Sequence, residues 1–169
     1  EGEKFNVFFD SGCGDMICKK SAVERLAAMG RARLEVPGPI ILSGVGDKRS
    51  VCNHGIYKIK VPLFDKREAV MCGPCLDVVT AEFPIYPLDS VQKDIRSTCV
   101  KTKGHNAARN LPKLPLSVGG TVDIMIGIMY NKYLPKEKIR LESGLALSES
   151  VFLGSDCSRG VVGGPHSSF

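Results

Sequence analysis

The chain has 169 residues, of which 43% are hydrophobic and 24% are charged, and its formal net charge at pH 7 is +5. This length and composition are typical of a single soluble globular domain spanning 1–169. The basic residues are scattered in short groups, which favours solvated surface over a nucleic-acid footprint. No apolar run approaches the roughly 20 residues that span a bilayer, so we expect no membrane segment.

The first part of the chain predicts a strand, a tight turn and one helix. Residues 4–9 favour a strand that runs directly into Asp10 and the turn sequence Asp-Ser-Gly. The stretch SAVERLAAMG predicts a short helix, with Ser21 as its N-cap, Glu24 in the capping-box position and Gly30 at its exit. An acid placed at the end of an apolar strand is the first candidate functional group.

The middle and the end of the chain predict mainly strands. The stretch IILSGVGDKRSV predicts a hairpin with glycines at its tip, and residues 55–64 alternate like a half-buried strand that pairs with residues 69–80. Residues 77–120 carry several prolines around one helix-like stretch, DSVQKDIRSTCV, and are interpreted as an insertion. An apolar strand follows at 121–130, and the residues after about 141 form an extension with two short strands.

The order of these motifs resembles that of the retropepsins, the retroviral-type aspartic proteases. The chain has Asp-Ser-Gly after a strand, then a glycine-tipped hairpin, then an apolar strand that ends in Ile-Gly. Three stretches, FFDSGCGDMI, VDIMIGIMYNKYL and SRGVVGGP, most resemble the protease region of BEL/Pao-type LTR retrotransposons. The resemblance extends from about Phe5 to Pro165 and is weakest over 77–120.

This resemblance implies an all-β, closed retropepsin-like barrel with one or two short helices, active as a two-fold homodimer. The implied function is an aspartic endopeptidase that processes a Gag-Pol-type retrotransposon polyprotein, without metal or cofactor. The substrate would be an extended peptide that adds a strand in the cleft. Because Asp-Ser-Gly occurs once in the chain, the second catalytic carboxylate must come from the Asp10 of another copy.

The resemblance also assigns roles to individual residues. Asp10 is the catalytic acid, Ser11 hydrogen-bonds across the dimer axis, and Gly12 lets the substrate backbone approach closely. The flap that covers the substrate, and the apolar and acidic residues that contact it, are Ser43, Gly44, Val45, Gly46, Asp47, Asp15, Ile126 and Ile128. Two positions depart from the retroviral pattern, because Gly14 replaces an aspartate and Ile128 replaces an arginine that braces the dimer.

Several alternatives remain open. Cys72-Gly-Pro-Cys75 matches a redox motif, but that motif needs a long helix after it. Cys72 and Cys75 also have the spacing of one half of a zinc-binding motif. Cys52, His54, Cys99 or His105 could complete the four ligands. Nucleophilic catalysis would use His54, His105 or His166. The domain would otherwise be an inactive or domesticated relative that binds peptides or dimerises. Seven irregularly spaced cysteines indicate free thiols in a reducing, cytoplasmic compartment.

Overall fold

The computed structural model describes residues 3–109, 111, 114–152 and 160–163. At 45, 107–108 and 160–163 it describes the backbone alone. The chain divides into two compact units. The first contains Glu1–Glu82 and Thr121–Leu134, and the second contains Phe83–Gly120 and Pro135–Phe169. Most of the stretch interpreted as an insertion, residues 83–120, therefore lies in the same unit as the C-terminal extension.

Thirteen strands and three α-helices lie within the described residues. The strands are β1 (Val7–Phe9), β2 (Met16–Lys19), β3 (Ala32–Val36), β4 (Ile40–Ser43), β5 (Arg49–Cys52), β6 (Ile56–Pro62), β7 (Glu68–Leu76), β8 (Phe83–Pro87), β9 (Ser117–Gly120), β10 (Ile124–Ile126), β11 (Lys136–Arg140), β12 (Ala146–Glu149) and β13 (Gly160–Gly163). The helices are α1 (Lys20–Ala28), α2 (Asp89–Lys103) and α3 (His105–Ala108). Two 3-10 turns span Val45–Asp47 and Ile128–Tyr133. The prediction of a mainly β chain with few short helices is confirmed.

The first unit is built on a six-stranded sheet in the order β1-β10-β2-β7-β6-β3. Strand β1 lies parallel to β10, β2 lies parallel to β7, and the other neighbours are antiparallel. Strands β4 and β5 pair with each other in a separate hairpin. The expected closed barrel is not found among the described residues, because β1 and β3 remain as the two edges of an open sheet.

The core of the first unit includes side chains from β2 and from its two neighbours in the sheet, β10 and β7. Met16 of β2, Met71 of β7 and Ile124 of β10 are each at most 1% exposed. The first half of β7 alternates between buried and exposed residues, whereas the later residues Gly73, Pro74 and Cys75 are all buried. The difference arises because β2 pairs with β7 only at Cys75 and beyond.

Helix α1 follows β2 without a connecting loop. It buries Ala22, Val23 and Leu26. The predicted capping box is wrong: the N-cap position belongs to Lys19, and no side chain caps the helix. The exit at Gly30 is confirmed, because Gly30 has φ of +69° and its N–H donates to the Ala27 carbonyl oxygen at 2.9 Å.

The second unit combines a two-stranded ribbon, helices α2 and α3, and a three-stranded sheet. The ribbon is β8 with β9, and the sheet has the order β11-β12-β13. Its core is centred on Ile95 of α2, Leu114 and Leu141. The helix predicted within this stretch is present as α2, which buries Ile95, Thr98 and Cys99. None of the described helices is both long and apolar enough to cross a membrane.

Candidate active site

The loop Asp10–Asp15, which we call the acid loop, begins where β1 ends. The Asp10 N–H donates to the Ile126 carbonyl oxygen at 3.0 Å, which continues the β1–β10 ladder by one residue. The Cys13 N–H returns to the Asp10 carbonyl oxygen at 3.1 Å, and the Gly12 N–H donates to Asp10 Oδ1 at 2.9 Å. These bonds fix both the backbone of Asp10 and one oxygen of its carboxylate.

The 3-10 turn after β10 holds the other end of the acid loop. The Ile128 N–H donates to the Cys13 carbonyl oxygen at 2.8 Å, and the Met129 N–H donates to the Gly14 carbonyl oxygen at 3.0 Å. A Cβ on Gly127 would lie 2.5 Å from the Cys13 carbonyl oxygen. Glycine at this position therefore allows two backbone segments to approach each other more closely than any side chain permits.

The predicted site residues differ in how accessible they are. Asp10 is partly exposed, whereas Ser11, Gly12 and Asp15 of the acid loop are exposed. Ile128 is 47% exposed, whereas Ile126 is 1% exposed. The expectation that Ile126 forms a subsite wall is therefore wrong for this chain, since its side chain lies in the core of the sheet. The side chain of Val45 lies outside the described residues.

The Cys13 thiol lies within the acid loop. Its partial burial raises its pKa, and the negative charges of Asp10 and Asp15 act in the same direction. The thiol donates a hydrogen bond to the Asp15 carbonyl oxygen at 3.4 Å. Cys13 therefore stays protonated at neutral pH, which does not favour a thiolate nucleophile at this position.

The hairpin of β4 and β5 carries the predicted flap residues at its tip. Ser43 ends β4, and the Gly44 N–H donates to the Lys48 carbonyl oxygen at 2.7 Å. Gly46 and Asp47 have φ of +71° and +56°, so two consecutive residues take the left-handed conformation that tight turns require. Within the described residues, no hydrogen bond joins this tip to the acid loop. In one copy of the chain, the predicted flap residues and the predicted catalytic residues are therefore not bonded to each other.

The Cys-Gly-Pro-Cys sequence lies inside strand β7. Its glycine, Gly73, marks a close crossing, because an added Cβ would overlap the Met16 carbonyl oxygen of β2. No helix follows the motif directly, because the next element after β7 is strand β8. The geometry therefore explains the motif by strand packing, and it lacks the helix N-terminus that would activate a redox thiol.

Three cysteines, which we call the buried thiols, lie together on β2, β5 and β7: Cys18, Cys52 and Cys75. Each is at most 1% exposed. The contact with Cys75 and burial raise the pKa of Cys18, and the Cys52 thiol donates to the Cys75 carbonyl oxygen at 2.9 Å. Every described cysteine is free. Among the described residues, no group of three or more His, Cys, Asp or Glu side chains is arranged to hold a metal ion.

The structure also contains a contact that the sequence patterns did not single out. The hydroxyl of Tyr130 accepts a hydrogen bond from the Cys72 N–H at 2.8 Å and donates one to the Cys72 carbonyl oxygen at 3.1 Å. The two residues are 58 positions apart, so no local pattern could have paired them. The only sequence signal is that Tyr130 belongs to VDIMIGIMYNKYL, one of the stretches that carry the resemblance.

Comparisons with protein-family models, with curated proteins and with solved structures found no match to this chain. The acid loop presents a partly exposed carboxylate on a backbone that hydrogen bonds hold at both ends. A carboxyl group held in this way can accept a proton from water when it is ionised, or donate one to a substrate carbonyl when it is protonated.

Proposed function

We propose that this chain is an aspartic endopeptidase of the retropepsin type that acts as a homodimer on an extended peptide or Gag-Pol-type polyprotein. The observation that carries the proposal is the pair of hydrogen bonds from Ile128 and Met129 to the acid loop. They join the loop that begins with Asp-Ser-Gly to the turn that follows Ile-Gly, and these are two of the motifs that carry the resemblance to BEL/Pao retrotransposon proteases.

The proposed reaction needs two carboxylates around one water. Two carboxyl groups that share one water cannot both be ionised at low cost, because their negative charges repel. The pair of Asp10 side chains therefore holds one proton. The ionised aspartate takes a proton from the water, which attacks the scissile carbonyl carbon. The protonated aspartate hydrogen-bonds the carbonyl oxygen and stabilises the tetrahedral intermediate, and the amine then leaves after protonation.

A homodimer supplies the second carboxylate, because the sequence contains one Asp-Ser-Gly. In this arrangement the exposed Ser11 faces the partner copy and ties the two acid loops together. Ile128 takes the place of an arginine brace, so the contact between copies does not depend on an ion pair at this position. The free state of all the described cysteines supports a reducing intracellular compartment.

The hairpin of β4 and β5 is the proposed flap, with residues 43–47 closing over the substrate backbone. Its exposed apolar side chains support this role. Ile41 and Val51 are directly opposite each other in the hairpin and are 68% and 61% exposed. This adjacent pair offers apolar surface that a bound peptide or another chain can cover. Asp15 and Ile128 complete the proposed substrate contacts.

The test is a cleavage assay on peptides that span the natural polyprotein junctions, at mildly acid pH, with Asp10→Asn beside the wild type. Asp10→Asn keeps the shape of the side chain and removes the shared proton, so we expect cleavage to fall by at least about a hundredfold. The control is Asp65→Asn, which removes an exposed carboxylate from the turn between β6 and β7 and should cleave like the wild type.

Sedimentation analysis of the same samples should show a dimer at the assay concentration. Equal cleavage by wild type and Asp10→Asn would exclude the aspartic-protease mechanism. A dimeric wild type that cleaves no junction peptide, but binds them, would instead support the alternative of an inactive domain that acts as a peptide-binding or dimerisation module.

A further inference from the structure

The hydroxyl of Tyr130 occupies the position of a missing strand beside β7. On one side of β7, Cys72 is directly opposite Lys58 of β6. On the other side, β2 pairs with β7 only at Cys75 and Leu76. At Cys72 the backbone N–H and carbonyl oxygen are instead both bonded to the single hydroxyl of Tyr130, at 2.8 and 3.1 Å.

The same tyrosine is joined to the acid loop through its own turn. The Tyr130 N–H donates to the Gly127 carbonyl oxygen at 3.1 Å, and the intervening Ile128 and Met129 N–H groups bond to the loop. Tyr130 also departs from helical geometry, with φ of −107° and ψ of 35°, within the 3-10 turn. Its ring stacks on Tyr133 with centroids 6.4 Å apart. The turn is therefore anchored to the sheet by a side chain and to the acid loop by backbone.

We propose that Tyr130 is a positioning residue that fixes Asp10 by anchoring the 127–130 turn to β7; this inference rests on the proposed function. The hydroxyl satisfies a part-buried donor and acceptor at Cys72 with which β2 does not pair, so its removal leaves both without a protein partner. The turn then loses its fixed distance from β7, and the acid loop moves with it. Catalytic groups must be held within about 0.5 Å of their productive geometry.

The first test compares Tyr130→Phe with Tyr57→Phe in the cleavage assay. Each variant removes one hydroxyl from the first unit, and among the described residues the Tyr57 hydroxyl has no hydrogen-bond partner. For Tyr130→Phe we expect kcat to fall about tenfold to a hundredfold, because a displacement near 1 Å has this effect. KM should change less than kcat, because the flap residues 43–47 keep their place and only the contacts of Asp15 and Ile128 lie on the segments that move. Tyr57→Phe should match the wild type.

The pH profile separates positioning from a general loss of folded enzyme. The two Asp10 carboxylates titrate as a coupled pair, and their coupling weakens when they move apart. The bell-shaped profile of kcat/KM should therefore narrow in Tyr130→Phe. A kcat equal to that of the wild type, or a rate reduced by one factor at every pH, would overturn the inference.

The second test does not use activity. In the wild-type chain, amide exchange should show that the Cys72, Ile128 and Met129 N–H groups open together, with protection factors within about threefold of one another. In Tyr130→Phe, exchange at Ile128 and Met129 should accelerate about tenfold, whereas Tyr57→Phe should not change it. Rapid, independent exchange at Cys72 in the wild type would overturn the inference even if Tyr130→Phe fails to fold. If the amides are coupled as expected but the wild type cleaves nothing, the proposed function fails and the anchoring role stands.

Discussion

Replacing Gly127 with alanine adds one methyl group where the acid loop crosses the backbone that follows β10. That methyl carbon would lie 2.5 Å from the Cys13 carbonyl oxygen and closer still to that of Asp15. Gly127 has φ of −94° and ψ of −175°, an extended conformation that alanine adopts without strain. The whole effect of the substitution is therefore the steric displacement of the acid loop.

The size of the effect follows from two contributions. Forcing an extra methyl group into a closely packed site costs about 1–3 kcal/mol. The displaced loop also weakens the hydrogen bonds from Ile128 and Met129, and a typical bond of this kind contributes about 1 kcal/mol. Movement of the acid loop relieves part of the steric overlap while it weakens the hydrogen bonds, so the two contributions do not add in full. We therefore expect the free energy of unfolding to fall by about 2–4 kcal/mol.

The assay is urea denaturation followed by far-ultraviolet circular dichroism, with Gly14→Ala as the matched control. Gly14 lies in the same loop, but an added Cβ there would have no heavy atom within 4 Å. The control should therefore change the free energy of unfolding by no more than about 0.5 kcal/mol. Equal effects of the two substitutions, or an effect of Gly127→Ala below about 0.5 kcal/mol, would refute the close crossing of the two segments.

Two further predictions concern charge and thiol burial. Hydrogen bonds from Arg33 and Lys58 lower the pKa of Glu35, so its contribution to stability is present at neutral pH and lost as the pH falls through the folded-state pKa. The difference in Tm between wild type and Glu35→Gln should therefore close below about pH 4, and a difference that persists at about pH 2 would contradict this. In native protein, iodoacetamide should modify the partly exposed Cys72 long before the buried thiols, as measured by mass spectrometry of tryptic peptides. Equal labelling rates would show that the buried thiols are accessible.

Elements that are determined by residues close together in the sequence lie where the sequence patterns predict them. The glycine-tipped hairpin, the strand pair formed by β6 and β7, and the end of α1 before Gly30 all lie where the patterns predict them. Glycine conformation and side-chain alternation act over a few residues, so the local sequence is sufficient. The capping box at Ser21 failed because β2 leads directly into α1, which places Lys19 at the N-cap.

Burial and strand closure depended on contacts that no local pattern contains. Ile126 was expected to face a substrate, yet β10 lies between β1 and β2 and its three residues are buried. The barrel expected from the resemblance is an open sheet, because β4 and β5 pair with each other and leave β1 and β3 as edges. The second unit likewise joins two stretches that are separated in the sequence by residues 121–134.

The sequence by itself determined which residues are candidates for chemistry: a single Asp-Ser-Gly turn after an apolar strand, a glycine-tipped hairpin, and an Ile-Gly segment in that order. Only the tertiary structure decided that the Asp-Ser-Gly turn and the Ile-Gly segment lie against each other. Asn6 and Asp123, 117 positions apart, are joined at 2.9 Å beside the β1–β10 pair, which brings Gly127 against the acid loop. Pairing over this distance depends on the burial of whole strands, and short-range residue preferences carry no information about it.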